Sequence, residues 1–578
     1  MKSLLVLISF LALNLLNVPN TLAQSSPSTP DKAAFDKLVD EYFDAYFRSN
    51  PTAATAAGFH QYDGKLEDLS RASAEGEIVQ QKRFLAKFDS ASNLKLDSES
   101  AADREILRSN IQARLLELET IQMWRKDPNA YTSLVSYSLF LIMHRNFAPA
   151  EDRLRSLIAR ERQIPKALKD GQANLHDVPK IYVDVALDQL PGEIDFFRND
   201  IPSAFSDVKD PKLLADFKTA NDRAISALQE YEAFLKKEIQ PHANGDFRIG
   251  ADNYRQKLLY EEMVDVPLDH LLEIGYADLH KNQQRLKDVA AQIDPNRPMA
   301  DVLGDLRKDH PPADQLLQSF RDVLDGERQF IIQKKIVTIP SPVLPIVEET
   351  PPFARALTTA SMDTPGAYET KATEAMFNVT TADPKWKPEQ IEDWMEGFNR
   401  GTIISTSIHE AYPGHYVQFL WIKQAPSKTR KLTFCGSNAE GWAHYTEQMM
   451  LDEGYGNGDP KLRMGQLIDA LLRDARFIAG IQMHTGKWTR EQAKQFFVDE
   501  GYQVESVAEV ESKRGTSDPT YLIYTLGKLQ IMKLREDYKK LRGDQFTLED
   551  FHDRLMQQGS VPLKIIRKAM LGNDSPTL

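Results

Sequence analysis

Residues 407–418 read Ser407-Ile408-His409-Glu410-Ala411-Tyr412-Pro413-Gly414-His415-Tyr416-Val417-Gln418, and their spacing constrains everything around them. A His-Glu pair followed by a second histidine is the pattern of a helical zinc site, in which the imidazoles stand four positions apart on one face. Here the two histidines, His409 and His415, stand six positions apart. On a regular helix, at about 100° per residue, that places them roughly 120° from one another. An unbroken helix therefore cannot offer both to one ion. The intervening residues supply the remedy. Pro413 has no N–H and its ring collides with the carbonyl of His409, while Gly414 accepts dihedrals that other residues resist. A bulge or break at Pro413-Gly414 is expected to carry His415 back toward His409.

A catalytic zinc takes three protein ligands and leaves a fourth position to water. The next candidate lies in Ala439-Glu440-Gly441-Trp442-Ala443-His444-Tyr445-Thr446-Glu447, where Glu440 and Glu447 stand two turns apart on one helical face. His409, His415 and Glu440 make a His₂Glu set for one Zn²⁺ per chain. Glu410, beside a ligand but facing a bound water, is the candidate general base. Glu447 or His444 is the candidate outer partner that orients a ligand histidine. Imidazole and carboxylate also suit other divalent ions, so the residues do not fix the metal. The plainer alternative is a chance His-Glu surface pair with no ion.

Outward from the motif, helical periodicity dominates. In residues 35–48, Leu38, Tyr42 and Ala45 form one stripe that Val39, Phe43 and Phe47 widen, and Asn50-Pro51 ends it. Similar patterns run through 102–124, 150–175, 211–239 and 267–293. The texture changes over 329–387. Phe330-Ile331-Ile332 and Ile336-Val337-Thr338-Ile339 are rich in β-branched residues, and Pro340, Pro342, Pro345, Pro351 and Pro352 forbid a long helix. A further strand is expected over 375–381, either as part of a structural hairpin or as an edge for an extended peptide. The predicted fold is mainly α: a large multi-helix fold with a small β-sheet before the motif helix. One catalytic region spans 35–578, with a helical half (35–328), the β-rich insert (329–387) and a motif-bearing helical half (388–578).

The first residues address the chain. Lys2, the apolar run 4–16 and Thr21-Leu22-Ala23 read as a cleavable secretory signal over 1–23, followed by a polar tether over 24–34. No cysteine follows the run, so a lipid anchor is not expected there, and the predicted destination is the periplasm or the medium. No later stretch is long and apolar enough for stable membrane insertion. A formal charge of −13 argues against nucleic acid as a partner. With one cysteine, Cys435, no intrachain disulfide is possible, and a buried apolar role suits it better than a catalytic one.

Taken together, these segments resemble the bacterial family known as domain of unknown function 885. Its hallmarks, H-E-x-Y-P-G-H-x-x-Q and E-G-W-A-x-Y-x-E, read here as H-E-A-Y-P-G-H-Y-V-Q and E-G-W-A-H-Y-T-E. Further matches are Gly58-Phe59-His60-Gln61-Tyr62-Asp63, the segment after His484, Tyr524-Thr525-Leu526-Gly527, Phe551-His552-Asp553 and Gly559-Ser560-Val561-Pro562. The resemblance implies a largely helical metallopeptidase-like protein, a multi-helix peptidase-like fold with a central cleft, in an arrangement similar to that of angiotensin-converting enzyme and its carboxypeptidase relatives. Those relatives keep the four-residue histidine spacing, from which this chain departs. They also set a later histidine and tyrosine against the substrate carbonyl, and His484 and Tyr524 stand in plausible positions for those roles. Arg514 and Lys528 are candidates to pair with a substrate carboxylate, as a carboxypeptidase needs. The expected activity is hydrolysis of a peptide or small amide at zinc. Two rivals are an exported binding protein on a peptidase-like scaffold and a zinc hydrolase of a non-peptide amide or ester. Oligomeric state is not readable from the sequence.

Overall fold

The computed structural model describes residues 29–578 apart from 352, 356 and 357; the expected signal at 1–23 lies outside them. Helix α1, Pro30–Ser49, begins inside the stretch read as a tether. The Thr29 side chain caps it by accepting from the Lys32 amide, and Pro30 sits at the first helical position, where its missing N–H costs nothing. The amphipathic segments that follow are helical. Among them are α2 (Ser98–Leu116), α3 (Lys180–Asp195), α4 (Pro211–Phe234) and α5 (Leu268–Ile293).

The insert departs from expectation at its start. Phe330-Ile331-Ile332 is no strand but the end of α6, Leu316–Lys334, which buries Phe320, Leu324, Glu327 and Ile331 at helical spacing. The helix period outweighs the local β preference of three residues. Residues 336–339 form no strand either; Ile336 and Val337 are buried as irregular chain. The strands come later: β1 (Ile346–Glu349), β2 (Ala360–Asp363) and β3 (Met376–Val379). Within the 375–381 segment, β3 is the central strand, parallel to β1 and antiparallel to β2. Both its edges are taken, so it has none to offer an added peptide.

Six further elements position the site. They are α7 (Arg400–Glu410), α8 (His415–Ile422), α9 (Gly436–Asp452), α10 (Pro460–His484), α11 (Glu505–Ser517) and α12 (Ile523–Arg542), with α5 packed along α10. Helix α7 lies against both α9 and α10, and α9 lies along α12. Leu271, Leu279 and Leu286 of α5 share one apolar cluster with Leu467, Leu471, Phe477 and Ile478 of α10. Packing thus joins residues on either side of the boundary expected at 328. The fold is mainly α with one small sheet, and among the described residues no helix is long and apolar enough to cross a membrane.

Candidate metal centre

Helix α7 starts on Asn399, whose side chain accepts from the amides of Gly401 and Thr402, and nearly every residue after them is buried. It ends at Glu410, the chain turns through Ala411–Gly414, and α8 begins at His415. The break stands where Pro413-Gly414 placed it. The Gly414 amide reaches back to the Ile408 carbonyl at 3.0 Å, and a Cβ on Gly414 would lie 1.7 Å from the His409 carbonyl oxygen. Only glycine permits an approach that close. Trp442 pins the turn from α9 by donating its indole N–H to the Pro413 carbonyl at 2.9 Å. Gln418 ties α8 to α9 in the same way, donating to Asn438 Oδ1 at 3.1 Å. These contacts give Trp442 and Gln418 of the two motifs a physical role: they fix the angle at which the two histidines meet.

The imidazoles of His409 and His415 lie with ring centroids 4.8 Å apart, nearly perpendicular. Oε2 of Glu440 stands 3.4 Å from His409 Nε2 and 3.2 Å from His415 Nε2. Ligand atoms about 2.0–2.1 Å from a tetrahedral zinc are separated by about 3.3–3.4 Å, so these spacings suit a shared ion. Glu410 also offers an oxygen, since donor atoms of His409, Glu410 and His415 all lie within 4.8 Å of one another. Of the two carboxylates, Glu440 has the better claim to ligation because one of its oxygens touches both Nε2 atoms. Glu410 Oε2 is buried with no hydrogen-bond partner among the described residues, as befits a group kept free for a proton.

Electrostatics separate the two acids. Burial raises the Glu410 carboxyl above the usual carboxylate range, only partly offset by His415 and His409. Burial also opposes ionisation of Glu440, but His415 and His409 outweigh it and hold its carboxyl well below the usual range. At His409, burial disfavours the cation, yet hydrogen bonds to Glu440 and Glu447 raise its pKa to about 9. That surplus of negative charge is what a divalent cation would neutralise in place of a proton.

Behind His409 stands its outer partner. Glu447 Oε1 is 2.7 Å from His409 Nδ1, which turns Nε2 toward Glu440, and Glu447 Oε2 is 3.1 Å from His444 Nδ1. Arg473 approaches Glu447 at 3.4 Å and holds it ionised against its burial. His415 has no such support: its Nδ1 is buried without a partner among the described residues.

His409 and Glu410 open onto a cavity that is partly open to solvent. Tyr524 lines it, its ring nearly parallel to that of His409 at 6.1 Å, and burial lifts its hydroxyl to about 12. Arg514 lines it too, donating to the Tyr524 hydroxyl at 2.9 Å and pairing with Asp518. His484 and Lys528 are not brought to this cavity. His484 closes α10 two turns beyond Arg476, about 12 Å along the axis. There it is bonded to the Gly515 carbonyl at 2.7 Å and packed by Phe247 and Tyr254. Lys528 is one turn past Tyr524, 2% exposed, and faces His444 and Asp278. Neither can touch a substrate in this structure.

Sequence reading missed the cationic wall of the cavity. Arg473 and Arg476 rise from α10, the first beside Asp469, the second bonded to both oxygens of Glu511 at 2.6 and 2.7 Å. Their signal was there: Asp469, Arg473, Asp474 and Arg476 interrupt the otherwise apolar run 467–481, and buried charges in a core helix need partners. Cys435 is buried and donates to Glu262 Oε2 at 3.0 Å.

A sequence profile described as "Bacterial protein of unknown function (DUF885)" matches residues 51–570. Two solved structures resemble the chain along nearly its whole length. One, described as a "putative lipoprotein of unknown function" from Shewanella oneidensis, is 28% identical with a TM-score of 0.75, covering 93% of this chain and 99% of that one. The other, a "putative lipoprotein" from Colwellia psychrerythraea, is 17% identical with a TM-score of 0.79, covering 94% and 99%, a likeness of fold alone. No curated protein matches the chain.

Proposed function

Since the chain belongs to the bacterial DUF885 family, whose description names no reaction, we propose its function from the site: an exported zinc-dependent hydrolase of peptide bonds. One observation carries the proposal. A broken helix and its neighbour bring two imidazole Nε2 atoms within 3.2 and 3.4 Å of a single carboxylate oxygen, with an unpartnered buried carboxylate beside them at the wall of a cavity. His409, His415 and Glu440 would hold the ion. When bound, zinc supplies Lewis acidity toward a carbonyl and acidifies water.

The protein's own groups do the rest. Glu410 takes the proton from the attacking water and returns it to the leaving amine. Tyr524, its hydroxyl still protonated at neutral pH, donates toward the developing oxyanion, a contribution of about 2.7–4 kcal/mol for one such donor. Arg514 orients that hydroxyl and presents a cation to a substrate carboxylate. Export is supported by the apolar run at 4–16, and the two resembling structures are described as lipoproteins.

The test is zinc content and hydrolysis of a mixed peptide library by the purified chain. His409→Ala and Glu440→Ala are expected to lose zinc. Glu410→Gln should keep zinc and lose at least about 100-fold in kcat/KM. Zinc retained by both ligand variants would refute the ligand set, and full hydrolysis by Glu410→Gln would refute the base.

A further inference from the structure

Lys528 stands where a lysine is hard to justify: 2% exposed, with its nearest carboxylate, Asp278 Oδ2, 4.0 Å away. Burying an ammonium is costly, and a neutral side chain of similar shape would fill the space at less cost. Its other neighbour is His444 Nε2 at 3.5 Å. An ammonium has only protons to give. If Lys528 donates, His444 Nε2 must accept, so the ring carries its single proton on Nδ1. That proton points at Glu447 Oε2, 3.1 Å away, and Glu447 Oε1 in turn accepts from His409 Nδ1 at 2.7 Å. Every hydrogen bond in the series then has one permitted direction. It ends with His409 Nε2 turned to Glu440 and His415, the nitrogen whose lone pair would face an ion held there.

We propose that Lys528 is a positioning residue for His409, acting through His444 and Glu447: its donor-only ammonium keeps His444 Nε2 bare, so that the ring stays a neutral single donor to Glu447 and leaves that carboxylate's charge to the ligand imidazole. The inference rests on the metal reading above. Other charges facing His444 agree with it. From α10, Arg473 lies on the far side of Glu447, and from α5, Asp278 faces Lys528 and is braced by Asn282 at 3.3 Å. Asn282 also reaches Asp474 at 2.8 Å, which accepts from Thr525 of α12 at 2.9 Å. The ammonium thus faces α9 through His444 and α5 through Asp278, and Asn282 links that aspartate to α10 and α12. Burial and then Lys528 depress the His444 pKa to about 4, in keeping with a neutral ring.

The experiment labels histidine with ¹⁵N and reads the ring nitrogens of His444, assigned by their loss in His444→Gln. Zinc affinity is measured beside it by competition with a chromogenic chelator. In the wild type at pH 7, Nδ1 is expected protonated and Nε2 bare. Lys528→Met should leave the proton on Nδ1, add one on Nε2, and weaken zinc about tenfold, the low end for outer partners of a metal site. Lys528→Arg, still a donor only, should keep both. A wild-type spectrum with the proton on Nε2 overturns the proposal, even should Lys528→Met fail to fold. So does Lys528→Met with unchanged spectrum and affinity, or equal zinc loss in the Met and Arg variants, which would mean packing alone. If the wild type binds no zinc, the metal reading falls while the ¹⁵N pattern still decides what Lys528 does to His444.

Discussion

Glu447 shows how much a single side chain decides in this site. One carboxylate accepts from His409 and from His444 and is kept ionised by Arg473. Glu447→Gln keeps the shape but turns one acceptor into a donor that faces an imidazole N–H. The expected result is a loss in zinc affinity of about 10–100-fold, with the chain still folded, read by chelator competition and by circular dichroism. Unchanged affinity would mean that His409 needs no outer partner. At this scale the sequence was legible where residue type and spacing together force a geometry. His409, Glu410, His415, Glu440, His444 and Glu447 all meet in the fold. It was silent where only position along a helix counts: His484 has suitable chemistry and lies one helix end away from the cavity, whereas Arg473 and Arg476, which carry no motif, form its wall.

Between elements, the decisive contact is the crossing of α9 and α12. A Cβ on Gly527 would lie 1.8 Å from the Ser437 carbonyl oxygen, and one on Gly441 would lie 2.4 Å from the Gly527 backbone. The helices approach so closely because both residues lack side chains. Helix α9 carries Glu440 and Glu447, and α12 carries Tyr524 and Lys528. Gly527→Ala should therefore separate the helices, lower stability by about 1–3 kcal/mol and weaken zinc binding in the same variant. A comparable or larger stability loss from Leu228→Ala, buried in the apolar cluster around α4, should leave zinc binding alone. If Gly527→Ala binds zinc as the wild type does, the crossing is not what sets the site. The glycines of E-G-W-A and Y-T-L-G were visible in the sequence, but their pairing was not, since nothing local says which two helices touch.

Across the whole molecule, buried groups outside the site also set stability. Glu193 of α3 is fully buried in the N-terminal helical half, and burial raises its carboxyl from 4.5 to about 8. The folded chain therefore keeps a proton that the unfolded chain releases between those values. Stability attached to this group is complete below about pH 4.5, falls as pH rises, and is lost above about pH 8. Glu193→Gln should raise Tm by several degrees at pH 8.5 and by little at pH 4.5. An equal shift at both pH values would show that titration is not the cause. The sequence by itself determined a helical chain, the helix break at Pro413-Gly414 and a set of metal-binding residue types. It could do so because periodicity, missing N–H groups and donor chemistry act within a few residues. Only the tertiary structure decided that Phe330-Ile331-Ile332 ends a helix, that the 375–381 strand has no free edge, and that Lys528 faces inward. Those outcomes depend on which distant surfaces compete for the same buried space, and that competition is settled only when the whole chain packs.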